Sequence, residues 1–171
     1  MQAPGFTQPI DALLAVATCL GDLTISNQAG DALLSPRVFL GDSEVGGVID
    51  CCSGDCSPIL RIESTGENPT NGVPVTLGKH GCVELSMGIR VTFLTCFRTI
   101  SKAGTVVTDP DDLAYSQVVQ QSRWDALTEI RCCRAPQIQY ESSTPIGSDG
   151  KCSGWSINLR AAMTMCQCPT G

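Results

Sequence analysis

The run CVELSMGIRVTFLTCF, residues 82–97, decides how the rest of the chain is read. Val83, Leu85, Met87, Ile89, Val91, Phe93 and Phe97 take one parity, and Glu84, Ser86, Arg90, Thr92, Cys96 and then Arg98 take the other. Side chains of a strand alternate between its faces, so this is a β-strand with one buried and one wetter face. At ~3.3 Å per residue it would reach roughly 50 Å, far beyond the ordinary strand of about five or six residues. A bend is therefore expected, with Gly88 the natural place for it, and so is a reach past the globular body. A second run of the same kind closes the chain: Trp155, Ile157, Leu159, Ala161, Met163 and Met165 alternate with Ser156, Asn158, Arg160, Ala162, Thr164 and Cys166. Two such strands imply one sheet, whose apolar face needs a cover.

Two stretches can supply that cover. Residues 109–131 open with Asp109-Pro110-Asp111-Asp112: a capping Asp, Pro in the first turn and acids beside the positive end of the helix dipole. Tyr115, Val118, Val119, Ser122, Ala126, Leu127 and Ile130 then trace one stripe, with Arg123 and Arg131 on the opposite flank. Residues 7–20 read as a second helix, with Thr7 or Gln8 ahead of Pro9 and Ile10, Leu13, Leu14 and Ala17 as its buried stripe. Shorter strands are expected at 37–40, 59–63 and 138–140. A hairpin arm at 48–52 and an edge piece at 73–77 are possible additions, and turns are expected at 64–72 and 78–81, with a loop at 142–150. The expected fold is α+β: a single domain over 1–171 with a mixed, mostly antiparallel sheet, one long bent strand, two helices on one face and a Cys-rich insertion at about 41–58.

Composition bounds the function. The chain has 171 residues, 42% of them hydrophobic, enough for one sizeable core. A net charge of −6 argues against a scaffold that grips phosphates, but not against a channel through which DNA slides. No apolar run approaches the ~20 residues of a membrane span. The segment ALLAVATCL, residues 12–20, lacks a preceding Lys or Arg and carries Asp11 at its start, so a first helix explains it better than a cleaved leader.

The eleven cysteines are an odd number, so they cannot all pair within one chain. None forms a C-x-x-C pair and the one His, His80, is isolated, which leaves a zinc site weakly supported. Because several cysteines sit inside strand and helix patterns and the chain can build a core without bridges, mainly buried free thiols are expected, with one to three disulfides as the alternative. Catalytic patterns are missing. His80 lies in a turn with no positioned partner, and the spacing Gly72 to Gly78-Lys79 departs from a phosphate-binding loop and puts His80 where Ser or Thr is needed. Asp42/Glu44 and Asp50/Asp55 lack the remaining ligands of a calcium loop. Trp124 is a candidate partner anchor, whereas Trp155 sits on the apolar parity and suits the core equally well. No enzyme and no cofactor are expected.

The order of elements resembles that of the tail terminator proteins of long-tailed bacteriophages. The residues that carry the resemblance are 10–17, 37–40, the run 82–97 leading into the Asp109–Asp112 helix start, and the close Tyr140, Ser148-Asp149-Gly150 and Gly154-Trp155-Ser156-Ile157-Asn158-Leu159. The Cys-rich stretch 41–58 and the number of cysteines depart from that pattern. The resemblance implies a non-enzymatic virion protein, assembled in the host cytoplasm, that forms a ring, commonly hexameric. Such a ring ends polymerisation of the tail-tube protein, joins the tail to a head-completion or connector protein, and passes duplex DNA without gripping it. No membrane is involved. No residue is carried over from that family beyond the order of elements; the chain's own candidate interface residues are Trp124, Ser148, Asp149, Lys151, Asp42 and Glu44. The alternatives are another neck or tail component, such as a connector or tube subunit, and a secreted, disulfide-rich binding domain.

Overall fold

The computed structural model describes residues 5–21, 23, 25–26, 32–33, 37–40, 59–70, 72, 82–96, 110–133, 135–149 and 152–166. Its axis is the strand read first: β5, Val83–Cys96, pairs antiparallel with β7, Cys152–Met165, in unbroken register from Val83↔Met165 to Cys96↔Cys152. The long strand is therefore matched along its whole length and does not overhang as a lone arm. On the far side of β5 lies β4, Ile59–Pro69, also antiparallel, and beyond it β3, Arg37–Leu40, parallel to β4. On the far side of β7 lies β6, Ile138–Asp149. The five-stranded order is β3-β4-β5-β7-β6, mixed and mostly antiparallel as expected. Two short strands, β1 at Ile25–Ser26 and β2 at Ala32–Leu33, pair separately.

One sheet face is apolar and built by cross-strand register. Leu60 and Ile62 of β4 lie opposite Phe93 and Val91, which in turn lie opposite Trp155 and Ile157. Met87, Ile89, Leu159 and Ala161 extend the same face, and all of these residues are buried. Phe93 and Trp155 stack with ring centroids 5.4 Å apart, a directional contact beyond simple area burial.

Two helices cover that face, α1 at Pro9–Cys19 beside β4 and β3, and α2 at Pro110–Cys132 beside β7. Pro9 opens α1 behind the extended N-cap residue Gln8, as the missing N–H of proline allows. The buried stripe of α2 follows the expected phase through Val118, Val119, Ser122 and Ala126, with Leu127 and Ile130 packed at its margin. α1 is rotated from its expected phase. Ala12, Leu13, Val16, Cys19 and Leu20 are buried, whereas Ile10 and Leu14 are 44% and 46% exposed. Small Ala12 and branched Val16 fit close against the sheet, and the i, i+3, i+4 spacing of apolar residues in ALLAVA suits either phase.

Three further expectations change. The turn foreseen at 64–72 begins later, because β4 continues to Pro69 through a register shift between Ser64 and Gly66. There Gly66 adopts φ 105°, which favours glycine, and its N–H donates to Ser64 Oγ at 3.2 Å. Gly66 lies opposite Gly88, where an added Cβ would run into Thr65, so the β4 bulge packs against a position that only glycine fits. Of the loop foreseen at 142–150, residues 142–149 are instead strand: β6 runs to Asp149, carried through irregularities at Tyr140/Ser142 and Ile146/Asp149. Its many Ser, Gly and Pro residues read as loop, yet they lie on an edge strand where bulges and Pro145 are tolerated.

The cysteines differ most. Cys19–Cys133 and Cys82–Cys166 are disulfides rather than buried thiols, and Cys132 is exposed and free. Cys19 ends α1 and Cys133 follows α2, so one bridge ties the two helix ends together. The other continues the β5–β7 register by one further pair. The candidate strands at 48–52 and 73–77, the turn at 78–81 and His80 lie outside the described residues.

Candidate functional site

The sheet face opposite the helices has no covering element among the described residues, and its side chains follow from the same register. Arg61, Thr92, Ser156 and Thr144 form one row across β4, β5, β7 and β6. Glu63, Arg90, Asn158 and Ser142 form the next. On a third row Leu94 and Ile146 flank Gly154, which brings no side chain. Glycine is required at that point because an added Cβ would collide with the carbonyl of Phe93. The missing side chain between two apolar ones leaves a shallow depression of about 430 Å3 that reaches from Leu94 and Ile146 to Arg90 and Asn158.

Its electrostatics centre on Glu63. Arg61 Nη2 meets Glu63 Oε2 at 2.8 Å, and Arg90 Nη1 approaches Glu63 Oε1 at 3.8 Å. Arg90 Nε also donates to Asn158 Oδ1 at 3.4 Å, and Asn158 Nδ2 donates to Ser142 Oγ at 3.0 Å. Two guanidinium groups thus share one carboxylate, and among the described residues the half-exposed Arg90 makes only long contacts. Farther along the face, Glu141, displaced by the β6 irregularity, pairs with Arg160.

The helical side carries a different feature. Trp124 stands 60% exposed on α2, in line with the exposed Gln117, Gln121 and Thr128. The Arg123 guanidinium lies 6.0 Å from its ring centroid. An aromatic this open beside a cation suits a partner contact. Trp155, by contrast, is fully buried, and its Nε1 donates to Ser122 Oγ at 2.8 Å, fixing α2 to the sheet.

Of the predicted site residues, Trp124 is the one whose side chain is described. Ser148 and Asp149 lie near the end of β6, where Asp149 pairs with Cys152, and their side chains are not among those described. Asp42, Glu44 and Lys151 lie outside the described residues. The group of Arg61, Glu63, Arg90 and Asn158 escaped the sequence-based search because its members come from three strands. The available signal was their shared wet parity.

Among the described residues no group of three or more His, Cys, Asp or Glu stands ready for a metal, and no helix is long and apolar enough to cross a membrane. Set against known proteins, the chain matches no family model and no curated sequence.

Proposed function

We propose that the chain is a structural, non-enzymatic protein of the phage tail terminator type. In this reading it forms a closed ring, with a hexamer expected, at the head-proximal end of the tail. The ring ends growth of the tail-tube protein, receives a head-completion or connector protein and passes duplex DNA. The observation that carries the reading is the two-sided build in the order α1, β3, β4, β5, α2, β6, β7, with both helices on one sheet face. α1 lies toward the β3 edge and α2 toward the β6 edge, so the two flanks of the subunit differ. Unlike flanks permit head-to-tail contacts whose rotation closes a ring. The acidic balance, net −6, suits a lumen that does not grip DNA.

A second reading has its own support. Bridges at Cys19–Cys133 and Cys82–Cys166 favour a protein that works outside the reducing cytoplasm, as a secreted binding domain does. A released particle meets the same oxidising conditions, so the bridges are compatible with both.

Light scattering with negative-stain imaging of the same peak separates the readings. A closed ring with a central hole wide enough for duplex DNA, and no tubes, is the expected result. Trp124→Ala should then weaken the ring without unfolding the subunit. Open-ended tubes would make the chain a tube subunit, and a monomer that stays single on tail tubes would favour the secreted domain.

A further inference from the structure

We propose that the open face of the sheet binds a hexose-sized sugar that carries a carboxylate. The site goes beyond the ring reading and does not depend on it. Its chemistry changes in steps along the strands, with successive rows about 7 Å apart. Leu94 and Ile146 form an apolar notch over Gly154, suited to the C–H face of a pyranose. The next row presents the hydroxyls of Thr92, Ser156 and Thr144, each able both to donate and to accept, as sugar hydroxyls require. The row after it presents Arg90 and the Asn158 amide.

Charge selects the acid. Among the described residues Glu63 is the one carboxylate lining the depression, beside Arg61 and Arg90, and the contact of Arg90 to it is long. Arg61 holds Glu63 at 2.8 Å, whereas Arg90 reaches it only at 3.8 Å and Asn158 at 3.4 Å. A ligand carboxylate on Arg90 gains a charge-assisted pair without displacing a short one. The volume, about 430 Å3, lies in the range of small-ligand sites and suits one or two sugar units. The same chemistry is met in a free uronic acid and in a unit of an acidic polysaccharide.

The test is an amide-resolved NMR titration of the full chain with glucuronate, glucose, sulfate and a short uronate oligomer. Glucuronate should move the amides of Thr92, Ser156 and Asn158, and Arg90→Gln should weaken it about tenfold or more while leaving amides of the helical face in place. Thr144→Val, isosteric and on the edge strand, should weaken it by a smaller factor. Tighter binding of the oligomer than of the monomer is expected for a polysaccharide source, and equal binding per unit for a free sugar. Equal response to glucose would overturn the carboxylate, equal response to sulfate would overturn the sugar, and no response to any of them would overturn the site.

Discussion

Among the described residues one buried polar link joins α2 to the sheet beside its apolar contacts, and removing it should cost a calculable amount. Trp155 Nε1 donates to Ser122 Oγ at 2.8 Å, and Ser122 Oγ donates onward to the carbonyl of Val119 at 2.7 Å. In Trp155→Phe the smaller ring keeps a stack on Phe93 but loses the N–H bond, worth about 1 kcal/mol. It also leaves a void of roughly 40 Å3, which at ~24 cal/mol per Å3 adds about 1 kcal/mol. Ser122→Ala strands the indole N–H in a dry core, at about 1–3 kcal/mol. Once the indole is gone, however, the serine has less to lose. The double variant should fall short of the sum by about 1 kcal/mol, the coupling of the pair. Urea unfolding followed by far-UV circular dichroism under non-reducing conditions gives all three values. Strict additivity would refute the coupling of the two side chains through this hydrogen bond.

Four other variants probe the remaining parts. Gly154→Ala drives a methyl into the Phe93 carbonyl and should destabilise by about 3 kcal/mol, read as a lower urea midpoint at unchanged slope. Val91→Asp places a carboxylate at a fully buried position between Ile62 and Ile157 and should cost about 4 kcal/mol or more, so soluble, folded protein at wild-type yield would disprove the parity assignment. Cys82→Ser with Cys166→Ser opens a loop of sequence separation 84, for which chain entropy predicts about 4.5 kcal/mol as an upper figure, while Cys132→Ser should leave the thermal midpoint unchanged.

The central pair of strands and the second helix were legible because long periodic runs leave little choice: slipping β5 by one residue would turn Val91 and Phe93 into water and bury Arg90. α1 was legible as a helix but not in its rotation, since Leu13 and Leu14 are interchangeable to a pattern and only packing against β4 chooses between them. β6 was misread past Tyr140 because Ser-Ser-Thr-Pro-Ile-Gly-Ser has loop chemistry, and its strand form is imposed by pairing to β7. The bridges were illegible for a similar reason, as partners 114 and 84 residues apart meet only through the tertiary fold. The polar face needed cross-strand register before Arg61, Glu63, Arg90 and Asn158 became neighbours. Trp124 stood out in the sequence only as a candidate partner anchor, and its exposure emerges from the fold.

The two described disulfides interleave, with Cys82 inside the loop closed by Cys19–Cys133 and Cys166 outside it. A backbone cut anywhere between residues 20 and 132 therefore falls within that loop, and a cut between 83 and 165 falls within the other. Protease damage across almost the whole chain would leave the two pieces joined by at least one covalent link. A nicked chain would then migrate as one species until reductant is added.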